Sequence, residues 1–210
     1  MHDAQRYRDY NSLRVDIFHA CNDPAADKTK ATTGEAAKVA SPAPAQGQRY
    51  VITPQNSKIE FVGSKVTGKH NGSFGDFSAQ VDYAGTPENS RVSITIKSDS
   101  ITTDTPDLTK HLKTADFFDV AKYPEASFVS TAIKPGGENG ATHTVTGNFT
   151  LHGVTKAITF PATINVTADA ATVESSFSIN RKDFGINYAG AADNLIRDDV
   201  VLTLHVRATK

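Results

Sequence analysis

Nothing limits what this chain can fold into more than its period of two. Ile59 and Phe61 alternate with polar neighbours, followed by Phe77, Ala79, Val81 and Tyr83, then Val92, Ile94 and Ile96. The alternation resumes at Phe128, Ser130 and Ala132, and again at Val145, Gly147, Phe149 and Leu151. Ile158, Phe160, Ala162, Ile164 and Val166 follow, then Val173, Ser175, Phe177 and Ile179, and last Val200, Leu202, Leu204 and Val206. Successive side chains of a strand point to opposite faces, so each run has one apolar face. Turn chemistry such as GTPENS, KPGGENG and LHGVTK separates the runs. About eight strands with short connections predict an all-β antiparallel sandwich or barrel. Strands do not alternate with long helices, which excludes a parallel α/β sheet. Apolar residues such as Val62 and Val66 on the second face leave room for an interior that is more than a filled core.

One segment breaks the period. In TPDLTKHLKTADFFDVAKYP, Leu108, Leu112 and Ala115 fall at helical spacing with Phe118 nearby, and Thr105-Pro106-Asp107 makes a helix start. Tyr123-Pro124 ends the element and restores extended backbone. A short helix over residues 105–120 joining two strands would cap a barrel end, with Phe117 and Phe118 beneath it.

Upstream of Tyr50 the character changes. Asn22 to Gln48 is Ala, Thr, Lys, Pro and Gly, with Val39 its only large aliphatic residue. It buries too little to offset its ordering entropy and is expected to be a disordered linker of roughly 30 Å end to end. Residues 1–49 therefore read as a non-globular tail and residues 50–210 as the folded domain. Cys21 is the sole cysteine, which excludes an internal disulfide. Ala20-Cys21-Asn22-Asp23 before a polar stretch resembles the cleavage region of a bacterial lipoprotein precursor, in which the cysteine is lipidated. Residues 1–20 lack the apolar core of such a leader, so an ordinary tail cysteine is the alternative.

A formal net charge of -1, without a block of Lys or Arg, excludes the electrostatic footprint of a nucleic-acid binder. The five histidines of the folded region (His70, His111, His143, His152 and His205) form no pair at metal-ligand spacing. No metal or cofactor is expected. His111 lies near Asp107 and Asp116, but five helical residues would turn Asp116 away from it, and no nucleophile accompanies them, so an enzyme is not expected. Asp183-Phe184-Gly185 lacks every companion of a kinase magnesium motif and reads as a turn closing a strand.

Four separated motifs in order resemble the YceI-like family of bacterial lipid- and polyisoprenoid-binding proteins. They are SKIEFVGSKVTGKHNGSFGDF, SDSITTDTPDLTKHLKTADFFDVAKYPEASF, GNFTLHGVTKAITFP, and INRKDFGINY followed by DNLIRDDVVLTL. The resemblance implies an eight-stranded, lipocalin-like antiparallel barrel with a short helical insertion and an apolar ligand inside. Eight strands make a barrel just wide enough to be filled by side chains or to hold one slender ligand. The lining set it implies is Phe61, Phe77, Ile94, Leu112, Phe117, Phe118, Phe128, Phe149, Phe160 and Phe177. Lys65, His111 and Arg181 are the expected head-group contacts. Lys65 stands where many relatives carry His, and Leu108-Thr109-Lys110 where they carry an Arg-Asp pair. A carrier of a polyisoprenoid, isoprenoid quinone or related lipid in the periplasm or cell envelope follows, with a membrane tether through Cys21 and a homodimer as further expectations. A filled barrel serving as an interaction module is the competing reading, which cavity volume decides.

Overall fold

Residues 23–38 and 48–210 are described by the structure, a computed structural model. Fifteen strands occur among them, and their ranges fix the labels used below. Two short ones precede the domain: β1 (Thr29–Lys30) and β2 (Thr32–Glu35). Three bent staves follow, each made of two strands: β3 (Gln48–Ile52) with β4 (Lys58–Lys65), β5 (Gly68–Phe74) with β6 (Phe77–Tyr83), and β7 (Arg91–Lys97) with β8 (Ile101–Thr103). Five further staves hold single strands: β9 (Glu125–Pro135), β10 (His143–Leu151), β11 (Val154–Val166), β12 (Ala170–Asn180) and β15 (Asp199–Thr209). A small hairpin, β13 (Gly190–Ala191) with β14 (Asn194–Leu195), lies between the last two.

Each stave pairs antiparallel with the next, and β15 closes the ring by pairing with β12 on one edge and with β3 and β4 on the other. The result is an eight-stranded antiparallel barrel with one short helix, the one of the two architectures allowed by the alternation that the family resemblance implies. All eight periodic runs fall on staves, and their apolar phase forms the buried core, including Ile59, Phe61, Val81, Phe128, Phe160 and Phe177. Closure matters because it leaves no unpaired edge along most of the sheet.

The helix is shorter than its sequence suggests: α1 spans Pro106–Leu112. Thr114 donates its hydroxyl to the His111 carbonyl, and the chain then folds through tight turns that carry Asp119 at a φ of 44°. Phe117 and Phe118 consequently lie in a compact turn after the helix rather than on it.

The region read as a disordered linker is also corrected in part. Within it, Asp23 to Lys38 packs on the barrel: β1 runs parallel to β12 and β2 antiparallel to β11. Only Ala25 and Ala31 are buried there. Backbone ladder bonds hold this segment, at about 0.5–1.5 kcal/mol each, and a composition argument about side-chain burial cannot detect them. Cys21 lies outside the described residues.

Candidate functional site

A cavity of about 430 Å³ occupies the barrel interior. Its size lies within the range typical of small-ligand pockets, roughly 300–1,000 Å³. Its wall runs from Tyr83, Pro87 and Ser90 at one end to Lys65, His111 and Tyr188 at the other, so it follows the barrel axis. Between these ends the lining is apolar. On β12 it extends from Ala171 to Ile179, a strand length of about 26 Å at ~3.3 Å per residue. An interior filled by its own side chains, the competing reading, is not what the structure contains.

Of the ten apolar residues expected to line it, nine do: Phe61, Ile94, Leu112, Phe117, Phe118, Phe128, Phe149, Phe160 and Phe177. Phe77 does not. It is buried in the core where the stave bends between β5 and β6, without bordering the cavity. Two rings are kept against the wall by glycine. Phe61 lies over Gly72, its partner on β5, and Phe128 lies over Gly147 on β10. A Cβ on either glycine would come within 2.2–2.3 Å of the ring, so only hydrogen fits beneath each Phe.

The post-helical turn builds one end of the cavity. Leu112 and Phe117 are buried there, and Phe118 meets Phe74 edge-on at 5.9 Å. His111, Phe117 and Tyr188 form a three-ring cluster with centroids 5.0–5.2 Å apart. His111 Nε2 lies 2.8 Å from Asp116 Oδ2, which corrects the expectation that Asp116 points away. The helix ends at Leu112, and the turn brings Asp116 back.

Lys65, His111 and Arg181 all border the same end of the cavity, but their chemistry differs. Arg181 is committed elsewhere. Its guanidinium, buried at the end of β12, donates to the carbonyls of Ile186 (2.7 Å), Arg197 (3.1 Å) and Ile196 (3.4 Å) and reaches Asp198 Oδ1 at 3.4 Å. Burial lowers its pKa, and the Asp198 charge partly offsets this. It holds the segment 186–198 in place, so the head-group role expected of it is not the one the geometry supports. Lys65 Nζ, by contrast, has no hydrogen-bonding or ion-pair partner among the described residues. Beside it is Ser64, absent from the sequence-derived set. Its Oγ is buried, 4% exposed as a residue, and unpartnered among the described residues. The β4–β5 register is unbroken from Ile59 to Lys65, so the Ser64 side chain alternates to the face opposite Phe61 and Lys65.

At the opposite end the polar side chains of Tyr83 and Ser90 are already engaged. Tyr83 donates to the Gly85 carbonyl at 2.5 Å and Ser90 Oγ to the Thr86 carbonyl at 2.6 Å, so the loop consumes both hydroxyls. Among the described residues no set of three His, Cys, Asp or Glu side chains is placed to hold a metal ion.

A family profile described as the YceI-like domain matches residues 50–208. The chain belongs to the YceI-like family. A UPF0312 protein of Pseudomonas putida (strain W619) is 40% identical over 137 residues, 62% of this chain and 70% of its own length. BcnA of Burkholderia cenocepacia has a similar structure, with a TM-score of 0.67 at 26% identity, covering 75% of this chain and 99% of BcnA. A polyisoprenoid-binding domain from Saccharophagus degradans, implicated in plant cell wall breakdown, shares the fold at a TM-score of 0.61 and 17% identity, covering 76% of this chain and 97% of that one. The YceI-like match begins at residue 50, so β1 and β2 lie N-terminal to the matched domain.

The approach to the helix in this YceI-like chain carries a pH-sensitive corner. Asp104 accepts from the Asn71 N–H at 3.0 Å and pairs with His70 Nδ1 at 2.9 Å, and these hold its carboxyl below the ordinary value of 3.8. A depressed folded-state pKa gives stability that is complete above the unfolded value and is lost as pH falls through the folded one. Urea midpoints at pH 7 and pH 2.5 should therefore fall further in the parent than in Asp104→Asn. Equal falls would show that the corner contributes nothing.

Proposed function

We propose that this protein binds, carries or sequesters a single long-chain apolar ligand, of the polyisoprenoid, isoprenoid quinone or related lipid class, inside its barrel. The observation that carries the reading is a continuous apolar cavity with Lys65 at one end, whose Nζ has no partner among the described residues. Each buried methylene contributes about 0.8 kcal/mol, so a chain lying along the axis gains affinity with length. The polar end fixes direction, with the head group at Lys65 and the tail toward Val92 and Val166. A Lys ammonium is a point charge with rotatable donors, which suits a phosphate or carbonyl head without demanding planar geometry. The polyisoprenoid binding described for the Saccharophagus degradans domain agrees with this class.

The role is non-catalytic. His111 is engaged by Asp116 and two aromatic rings, Arg181 by three carbonyls, and among the described residues no nucleophile faces the cavity beside a base. Envelope location, a lipid tether at Cys21 and a homodimer belong to the same proposal. The motif around Cys21 and the family resemblance support them.

Native mass spectrometry of protein purified without delipidation should show an added mass that disappears on denaturation and extraction. Lys65→Ala should weaken uptake of a polyprenyl phosphate probe about tenfold and leave uptake of the headless hydrocarbon unchanged. Absence of any co-purifying lipid, together with no uptake of either probe, would remove the reading.

A further inference from the structure

Between β11 and β12 the barrel wall has a seam. β11 and β12 pair only from Thr163–Glu174 to Val166–Ala171. Continuing that register would set Phe160 opposite Phe177, but the ladder stops first. Pro161 explains why. Its carbonyl accepts from Ser175 Oγ at 2.6 Å and so faces β12, and on an extended strand its amide position faces the same way, where proline has no N–H. Beyond Pro161 the two strands part.

Residues 29–35 fill the gap. Thr29 and Lys30 pair with Phe177 and Ser178 on one side, and Thr32 to Glu35 pair with Thr159 to Lys156 on the other. Ala31, buried between them, donates its N–H to the Ser178 carbonyl at 2.8 Å. Outside the ladder the segment is fixed by exposed polar contacts. Thr33 Oγ1 donates to Asp183 at 2.7 Å, Asn148 clasps the backbone of Ala37 at 2.7–2.9 Å, and Lys30 pairs with Asp199. Every residue of β2 is exposed. On the inner side, the Phe160 and Phe177 rings stack at 4.2 Å with planes 10° apart, and both border the cavity with Ile158 and Ile179. The seam therefore leads from the segment through one ring pair to the lumen.

We propose that the β11–β12 seam is a strand-acceptor site and that Asp23–Ala37 is its detachable occupant, whose departure opens the side of the barrel to a long apolar chain. Three observations carry this. The wall is discontinuous at this one place along the β11–β12 pair, the filling strand buries only alanine methyls, and both faces of the gap are cavity wall. A linear ligand can then enter along its length instead of threading end-on past the His111–Phe117–Tyr188 cluster. The route rests on the carrier reading; the detachable strand does not.

The test uses the full chain carrying Cys21→Ser, Glu35→Cys and Lys156→Cys, whose two new thiols occupy directly paired positions of β2 and β11. Paired antiparallel residues have Cβ atoms close enough for a disulfide. By hydrogen exchange, the reduced protein should show amides of residues 31–35, and the β11 amides that face β2 rather than β10, exchanging at least tenfold faster than those of the β12–β15 ladder. Oxidation should slow that set alone. A labelled peptide of residues 27–37 should add to the reduced form and be refused by the oxidised one. Equal exchange of both sets in the reduced protein would overturn the proposal, because the segment would then leave only with global unfolding. With a fluorescent polyprenyl probe, the oxidised form should load at least tenfold more slowly, and equal loading rates would overturn the lateral route. Failure of both forms to load would count against the carrier reading instead, with the exchange result still deciding the seam.

Discussion

Arg181→Met is expected to lower the stability of the protein by about 3 kcal/mol while leaving the part of the cavity wall formed by the eight staves intact. The guanidinium fork serves three carbonyls at once, those of Ile186, Ile196 and Arg197, and a methionine of similar reach donates to none. A buried carbonyl that loses its partner costs about 1–3 kcal/mol, and the segment 186–198 can recover part of this by shifting outward into water. Asp198 contributes less, because it is partly exposed and keeps Lys182 at 2.9 Å. For a barrel of this size the loss corresponds to a fall in Tm of about 6–12 °C. Arg181→Lys should fall between, since an ammonium keeps the charge but cannot span three acceptors. The measurement that decides is thermal unfolding beside probe affinity measured well below the transition. Stability lost with affinity retained is the expected result. Affinity lost with stability retained would return Arg181 to the head-group role its place in the sequence suggested.

That reversal shows where sequence reasoning reached its limit. Period-two alternation carries fold information because each inward residue reports its own burial. Eight such runs suffice for eight staves, and nine of the ten expected lining residues follow from strand phase and the resemblance. Convergence is different. Nothing in INRKDFGINY says that the carbonyls of Ile186, Ile196 and Arg197 meet one guanidinium, because that depends on how the chain returns through β13 and β14. His111 and Asp116 were separated on the premise of a continuous helix. Thr114, bonding back to the His111 carbonyl, ends that helix early. β1 and β2 were missed for another reason. Their pairing is through backbone, and a stretch of Thr, Lys and Ala has no apolar phase to announce it.

The glycines under the rings carry the second large effect. Gly72→Val should abolish tight binding of a long apolar chain, weakening it by about 100-fold or more, near 2.7 kcal/mol. The backbone of Gly72 lies outside the left-handed region, so a side chain can be accommodated without local strain. The three atoms nearest an added Cβ all belong to the Phe61 ring, at 2.2–2.8 Å. Phe61 must then swing off the wall, and the open side available to it is the lumen. The fold should survive at a cost of about 1–3 kcal/mol for overpacking. Gly147 would be a poorer choice, because a Cβ there also falls 2.6 Å from the Val129 carbonyl oxygen, which cannot rotate away. The exchange Phe61→Ala with Gly72→Phe provides the control. It raises the summed volume by only one methyl-sized group and moves the ring to the neighbouring strand on the same inner face. Binding should return to within about tenfold of the parent. Isothermal titration with a polyprenyl probe, alongside unfolding curves for each variant, separates blockage from instability. If Gly72→Val folds and still binds as the parent does, the ligand does not pass Phe61, and the occupied length of the cavity must lie on the other side of that ring.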